Sequence, residues 1–189
     1  MKGLKIIIIS GKAGSGKSFL AEKLKDYLEV NYNLKGYIIN FADPLKMVCE
    51  KVYHWDGNKG EYGRTLLQKV GTDIVHKQNP STWTNIVISI IEGLYAEFDF
   101  VIVGDARFLH EIRGMVEHFT REKDKVYTIK VVGKPNESLT EEQKHHKSET
   151  ELDDCYNFHY VFDNTDYNIY SFFYKLANLC YTIDVDDWK

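Results

Sequence analysis

The glycines, lysines and serines of residues 11–18 have the types and the spacing of a phosphate-binding loop. The stretch reads GKAGSGKS and fits G-x-x-x-x-G-K-[ST]. Glycine lets the backbone approach an anion closely and turn successive N–H groups toward it. In such a loop the lysine reaches the β- and γ-phosphates of a nucleoside triphosphate, and the hydroxyl binds magnesium. We therefore predict that the phosphates of ATP are bound by Gly11, Ala13, Gly14, Ser15, Gly16, Lys17 and Ser18.

The segments on either side of this loop agree with that interpretation. Residues 4–10 form an apolar, β-branched run, and residues 19–30 place Leu20, Leu24 and Leu28 at helical spacing. A strand, a loop and a helix in this order point the N-terminus of the helix at the anion. The context therefore favours a phosphate-binding loop over a glycine-rich turn that binds nothing.

An acid at the end of a second apolar run is the candidate metal ligand. Residues 98–105 form a near-continuous apolar run that ends in Asp105, as expected for a buried parallel strand. Ligands of open α/β sheets bind beyond the carboxyl ends of strands. We predict that Asp105 and Ser18 both coordinate Mg²⁺ and that Arg107 lies at the same edge of the sheet. The alternative is an aspartate that caps a helix at this junction.

Length and composition limit the class of protein. The chain has 189 residues, 43% hydrophobic and 28% charged, which predicts one globular domain over residues 1–189. The formal net charge of −4 argues against a surface for nucleic-acid polymers or anionic membranes. No apolar run approaches the length of about 20 residues that crosses a bilayer. Because Cys49, Cys155 and Cys180 lack the spacing of disulfide frameworks or metal sites, we expect a reducing cytoplasm.

The segment after a second predicted strand, residues 36–41, carries candidate substrate contacts. Asp43, followed by a proline, is expected to cap a short helix over residues 42–46. A helix over residues 64–75 places Arg64, Gln68 and Gly71 on one side, where the glycine leaves room for something to approach. The alternative is an exposed arginine and a merely tolerated glycine.

The second half of the chain continues the alternation of helices and strands. Trp83 begins a helix with a wide apolar stripe and belongs either to the core or to the border of a pocket. The spacing of apolar residues predicts further helices over residues 108–119 and 169–179, and strands over residues 125–132 and 159–162.

Residues 133–154 differ from the rest in being polar and rich in charge. The stretch is either a solvated surface segment or a mobile lid whose cations close over phosphates. The adjacent His145 and His146 diverge and lack a partner one helical turn away, so a metal site there is not favoured. The lid interpretation assigns function to Lys144, His146, Lys147 and Glu149.

The order of these elements predicts the fold class. Strand-like runs separated by helices indicate an α/β protein with a parallel sheet of about five strands flanked by helices. A phosphate loop after the first strand and an acid after the third make this a P-loop NTPase fold. A polar insertion in the last third favours a kinase with a lid, and the guanine-reading run Asn-Lys-x-Asp is missing from the sequence.

Several short motifs occur in the order found in the phage deoxynucleoside monophosphate kinases, and the chain resembles that family. The resemblance covers most of the chain from the phosphate loop to the lid. It implies an adenylate-kinase-like fold with a monophosphate-binding region over about residues 42–97 and a lid over about residues 133–154. The motifs are FADPLK at residues 41–46, GRTLLQKVGTD at residues 63–73, Trp83, DARF at residues 105–108 with Glu111, and HKSE at residues 146–149.

The resemblance implies transfer of the γ-phosphoryl group of ATP to a deoxynucleoside 5′-monophosphate, with Mg²⁺ as cofactor. The acceptor phosphate has a second pKa of about 6 and is largely ionised at neutral pH, so no general base is required. The demand is electrostatic, which would make Lys17, Asp105 and Arg107 catalytic and would let the lid exclude water. The acceptor would contact Asp43, Lys46, Arg64, Gln68, Gly71 and Trp83.

Two positions depart from the family. Its members commonly have arginine where this chain has His76, and they commonly bring arginine into the lid, where this chain has lysine and histidine. Lysine provides charge without a bidentate fork, so we expect a looser grip on phosphate unless Arg113 or Arg121 compensates.

Three questions stay open at the level of sequence. The chain could be a P-loop kinase of another phosphorylated metabolite, or a nucleotide-dependent binding module with weak ATPase activity. Its 13 tyrosines and 10 phenylalanines fit either a monomer or a homodimer. The cytoplasm would be that of a host cell if a phage encodes the protein.

Overall fold

Strands and helices alternate along the chain in the computed structural model, which describes residues 3–58, 60–120, 125–134, 136–137, 139–153, 156–166 and 168–188. The strands are β1 (Lys5–Gly11), β2 (Gly36–Ile39), β3 (Phe100–Ala106), β4 (Lys125–Val132) and β5 (Tyr160–Asp163). The helices are α1 (Lys17–Tyr32), α2 (Ala42–Tyr53), α3 (Glu61–Gln68), α4 (Thr82–Gly93), α5 (Leu109–Phe119), α6 (Glu141–His145), α7 (Lys147–Thr150) and α8 (Ile169–Thr182). A π-helix, Lys69–His76, continues α3, and a 3₁₀ helix, Val185–Trp188, follows α8.

The strands form one sheet in the order β2-β3-β1-β4-β5 across the described part of the chain. All four pairings are parallel, with Ile6 opposite Val101 in β3 and opposite Val126 in β4. The carboxyl ends of parallel strands lie at the same edge of a sheet. The loops that follow β1, β3, β4 and β5 are therefore brought together at one edge.

Four consecutive isoleucines explain why β1 lies at the centre of this sheet. Side chains alternate between the two faces of a strand, so an apolar run is buried only where both faces are covered. Ile7 and Ile9 pack in a core with α1 and α8, and Ile6 and Ile8 pack in a second core with α4 and α5. The sheet is consequently a middle layer between two layers of helices.

A third, smaller core lies between β2 and β3 in the chain. It contains Cys49 from α2, Leu66 from α3, and Trp55 and Val70. The helix predicted over residues 64–75 begins earlier, at Glu61, and changes to a π-helix at Lys69. Apolar spacing alone does not distinguish these two forms, because they differ by one residue in hydrogen-bond partner.

The start of α2 differs from the sequence prediction. The N-cap position is Phe41, so Asp43 lies inside the first turn rather than before it. Asp43 instead accepts a hydrogen bond from the backbone N–H of Asn40 at 2.9 Å. The helix also continues past the predicted end at residue 46, because Val48 and Cys49 contribute to the small core.

The fold class predicted from the sequence is confirmed. The sheet is parallel, has five strands among the described residues, and carries helices on both faces. In the same part of the chain, no helix has the length and apolar character needed to cross a membrane.

Candidate active site

The phosphate-binding loop connects β1 to α1 at the carboxyl edge of the sheet. Gly14 and Gly16 have φ angles of 79° and 95°, a conformation that residues with a Cβ rarely adopt. Gly16 is the N-cap of α1, so the loop ends at the positive end of a helix. The loop thus combines backbone N–H groups with a helix N-terminus, the arrangement that binds anions.

Asn164 supports this loop from the end of β5. Its side-chain amide donates a hydrogen bond to the carbonyl oxygen of Ser15 at 3.0 Å. Its own N–H donates to the carbonyl oxygen of Val132, the last residue of β4, at 2.7 Å. The sequence placed Asn164 after a strand but gave no sign of this contact, because the contact joins segments far apart in the chain.

Lys17 is buried in the centre of the loop. Its ammonium group donates hydrogen bonds to the carbonyl oxygens of Gly11 at 2.6 Å and Lys12 at 2.8 Å. Burial and the charge of Arg107 lower the pKa of Lys17 to about 8, while Glu149 and Asp105 oppose that shift. Lys17, Arg107 and Asp105, predicted separately from the sequence, therefore lie in one electrostatic neighbourhood.

Asp105 extends from the end of β3 and contacts the start of α2. Its two carboxylate oxygens accept hydrogen bonds from the backbone N–H groups of Phe41 at 2.7 Å and Ala42 at 3.2 Å. Burial raises the pKa of Asp105, and these hydrogen bonds oppose the shift. The aspartate thus caps a helix, but that helix is α2 rather than the one that follows it in the chain.

The predicted magnesium ligands fit the ion chemically. Magnesium prefers oxygen ligands and is usually held by one or two protein oxygens together with substrate phosphates. Ser18 is exposed at the start of α1, and each oxygen of Asp105 keeps a second lone pair beyond its hydrogen bond. A hydroxyl, a carboxylate and phosphate oxygens form a donor set suited to Mg²⁺.

Arg107 is paired with an acid from the predicted lid. Its guanidinium forms an ion pair with one oxygen of Glu149, whose side chain is 8% exposed. The other oxygen of Glu149 accepts a hydrogen bond from the N–H of Ala13, in the phosphate-binding loop, at 2.7 Å. The sequence assigned Glu149 to the lid, and the structure places its carboxylate inside the loop.

The two lysines and the histidine assigned to the predicted lid contact residues of the same segment. Lys144 contacts Glu141 at 2.6 Å, and Lys147 contacts Glu151 at 3.0 Å. His146 is the N-cap of α7, where its Nδ1 accepts a hydrogen bond from Ser148. In this structure the predicted lid presents an acid to the phosphate-binding loop, whereas Lys144, His146 and Lys147 make contacts inside the predicted lid.

The predicted acceptor residues are spread over α2, α3, the π-helix and α4. Arg64 and Gln68 are exposed on α3, one helical turn apart. Lys46 forms an ion pair with Asp43 at 2.7 Å. Burial opposes ionisation of Asp43, but hydrogen bonds from Lys46 and Asn40 outweigh it and lower its pKa. The structure does not join these residues into a single cluster.

Leu45 fills the space that was predicted beside Gly71. A Cβ on Gly71 would lie 2.7 Å from a methyl carbon of Leu45, so the close approach is made by the chain itself. Trp83 is half-buried, and its indole N–H donates to the carbonyl oxygen of Gly71 at 3.4 Å. Gly71 and Trp83 thus connect α2, the π-helix and α4.

Of Arg113, Arg121, Cys155 and His76, only Arg113 is fully described by the structure. Arg121, Cys155 and the side chain of His76 fall outside the described residues. Arg113 lies on an exposed position of α5.

Comparison with known proteins shows the fold. No protein-family model matches the chain, and no curated protein matches it in sequence. A mutant of the Mycobacterium tuberculosis APS kinase CysC is similar in structure, with a TM-score of 0.52 and 11% identity over 97% of this chain and 99% of that chain. The same kinase in complex with AMPPNP and APS gives a TM-score of 0.55 and 9% identity, with the same coverage. The chain therefore shares its overall fold with solved kinases.

Proposed function

We propose that this protein is an ATP-dependent kinase that transfers the γ-phosphoryl group to a deoxynucleoside 5′-monophosphate, giving the diphosphate. The observation that carries the proposal is that the phosphate-binding loop, with Lys17, lies at the same edge of the sheet as Asp105 and Arg107, and that Arg107 and the N–H of Ala13 hold one carboxylate. Phosphoryl transfer depends on positioning and on stabilising charge, and these residue types supply both.

The residues at the sheet edge would act on ATP. The N–H groups of the loop and the N-terminus of α1 bind phosphate oxygens, and Lys17 leaves the carbonyls of Gly11 and Lys12 to contact the β- and γ-phosphates. Ser18 and Asp105 would hold magnesium, which when bound neutralises charge on the phosphates. Arg107 stabilises the charge that spreads over the transferred phosphoryl group.

The segment between β2 and β3, about residues 42–97, would bind the acceptor. Arg64 and Gln68 are exposed side by side on α3, which suits a phosphate contact and a base contact respectively. Lys46 would assist Arg64, with Asp43, Gly71 and Trp83 as neighbours. The assignment to deoxynucleoside monophosphates rests on the sequence resemblance, which supplies the roles of these positions.

The lid, about residues 133–154, would close over the two substrates. Its closure excludes water, which otherwise accepts the phosphoryl group. Lys144, His146 and Lys147 would turn toward phosphates at that point and leave their present partners. This proposal places the reaction in the cytoplasm, that of the host if a phage encodes the protein.

A panel of the four deoxynucleoside monophosphates with ATP and Mg²⁺ tests the function. Diphosphate should form from at least one of them, and a Lys17→Ala variant prepared alongside should form it at least about 100-fold more slowly. The absence of diphosphate from every monophosphate contradicts the proposed acceptor.

A second candidate is a kinase of another phosphorylated metabolite. It is favoured by the shared fold with an APS kinase whose structure contains AMPPNP and APS. Adding APS and phosphorylated sugars to the same panel separates the two acceptor classes. ATP hydrolysis that is indifferent to every small acceptor would instead indicate a nucleotide-dependent binding module.

A further inference from the structure

The carboxylate of Glu149 occupies the position of an anion in the phosphate-binding loop. One oxygen accepts the N–H of Ala13 at 2.7 Å and the other pairs with the guanidinium of Arg107. Carboxylate and phosphate oxygens both accept charge-assisted hydrogen bonds from these same donors. The side chain is 8% exposed, so it is inserted between the loop and β3 rather than lying on the surface.

The side chain of Lys17 also forms its hydrogen bonds within the loop. The ammonium group donates to the carbonyl oxygens of Gly11 and Lys12, inside the loop. Two groups that the proposed function directs at phosphate, the lysine and an N–H of the loop, therefore have partners from the chain itself.

We propose that residues 147–153 form a latch, in which Glu149 competes with the phosphates of a nucleotide for the loop and for Arg107. The inference rests on the proposed binding of ATP at this loop, and it adds a conformational step to it. A polyphosphate and the carboxylate carry the same sign of charge and use the same donors, so both cannot be bound at once. ATP expels Glu149, and this exchange frees Arg107 to contact the transferred group.

The far end of the latch is fastened separately from Glu149. Lys130 of β4 donates to the carbonyl oxygens of Leu152 at 3.1 Å and Asp153 at 2.9 Å. Lys12 pairs with Asp153 at 2.7 Å, and the N–H of Leu109 donates to Glu151 at 2.8 Å. These contacts hold residues 151–153 against the sheet edge, so the short helix α7 can withdraw Glu149 while the end of the latch stays attached.

The exchange has a thermodynamic consequence. Nucleotide binds only to those molecules in which Glu149 has left the loop. The apparent affinity for nucleotide is therefore reduced in proportion to the fraction of molecules in this open state. By linkage, nucleotide must loosen the latch to the same extent that the latch weakens nucleotide binding. Removing the charge of Glu149 should therefore tighten the binding of ATP.

Calorimetric titration with ATP and Mg²⁺ tests the latch in the full chain. Glu149→Gln keeps the shape but removes the charge, and we expect its Kd for ATP to fall about tenfold. Glu141→Gln is the matched control, because it removes one negative charge from an exposed position of the same lid. Its Kd should stay within about twofold of wild type, since screening weakens a distant exposed charge.

Hydrogen exchange of the wild-type protein provides an independent readout. The amide of Glu149, which donates to the carbonyl of His146, should exchange faster when ATP is bound. Equal ATP affinity in wild type and Glu149→Gln, or unchanged exchange in α7, overturns the latch and leaves the proposed function intact. Failure of both wild type and Glu149→Gln to bind ATP overturns the proposed function itself.

Discussion

The proposed ATP side and the proposed acceptor side of the candidate site are built in different ways. On the ATP side, Asp105 and Arg107 extend from the end of β3 and Lys17 from the start of α1, and all three are at least partly buried and held by hydrogen bonds to backbone or by ion pairs. On the acceptor side, Arg64 and Gln68 extend from a helix into solvent. The groups at the sheet edge already lie together and would exchange internal partners for phosphate, whereas the groups on the small helical unit need a ligand to bring them to their positions.

The largest effect is expected at the centre of the ATP side. Lys17→Ala should lower kcat by at least about 100-fold, because removing one preorganised electrostatic group costs about 3 kcal/mol of transition-state stabilisation. Steady-state assays with saturating ATP and monophosphate measure this loss. Lys23→Ala, on the solvent side of α1, is the control and should keep wild-type kcat. A Lys17→Ala enzyme with near-normal turnover would contradict the role of the loop.

A buried acid that contacts the backbone of Arg107 should make the stability of the protein depend on pH. Glu111 accepts hydrogen bonds from the N–H groups of Arg107 and Phe108, and burial raises its pKa from 4.5 to about 8. A raised carboxyl pKa means that the folded chain holds a proton that the unfolded chain has released. The free energy of unfolding therefore falls as pH rises between those two values.

Glu111→Gln should remove this pH-dependent fall in the free energy of unfolding. The amide mimics the neutral carboxyl group, so the unfolding free energy of the variant relative to wild type should increase by about 3–4 kcal/mol from pH 5 to pH 8. Urea denaturation at the two pH values measures the gain. Glu117→Gln on the exposed side of α5 provides the control, and a gain that is the same at both pH values speaks against a buried proton.

Removing the exposed arginine should affect one substrate only. Arg64→Ala should raise the KM for the monophosphate about 30-fold, because a hydrogen-bonded charge pair with phosphate contributes about 2 kcal/mol. The Kd for ATP should stay unchanged, and titration calorimetry measures it directly. Lys51→Ala on the exposed side of α2 serves as control. Equal losses for both substrates would place Arg64 on the ATP side or give it a structural role.

The smallest effect is expected at the glycine beside Leu45. Gly71→Ala should lower the unfolding free energy by about 1 kcal/mol, because the new methyl group forces Leu45 to shift. Gly93→Ala, with open space around its Cβ position, should be neutral or slightly stabilising. A Gly71→Ala variant of unchanged stability but weakened monophosphate binding would instead indicate that a ligand approaches this glycine.

The sequence predicted the elements that carry the loop of residues 11–18 and Asp105, because the signals for them are local. The glycine spacing of residues 11–18 and the acid after an apolar strand need no knowledge of distant contacts. Parallel strands then bring both to one edge of the sheet, which the alternation of helices and strands implied. The five strands were predicted within two residues of their ends, since runs rich in apolar and β-branched residues mark each of them in the sequence.

The contacts of Asp105 and Glu149 could not be predicted in the same way. Asp105 caps α2 across a gap of more than sixty positions, and Glu149 reaches Ala13 from the opposite end of the chain. Neither contact leaves a periodic trace, because each involves a single side chain and a backbone N–H group. A charge-rich stretch such as residues 141–153 gives no sign of which acid will be buried.

The place of β1 in the middle of the sheet also bears on how the chain folds. Lys5 pairs with Phe100 on one side and with Lys125 on the other, so both neighbours of the first strand are made long after it. Folding that depends on such distant pairings is slow, and an unpaired apolar strand favours aggregation. A ribosome-bound chain that stops before β4 leaves the run from Ile6 to Ile9 without one partner strand, so one edge of β1 stays unpaired until residue 132 has been made.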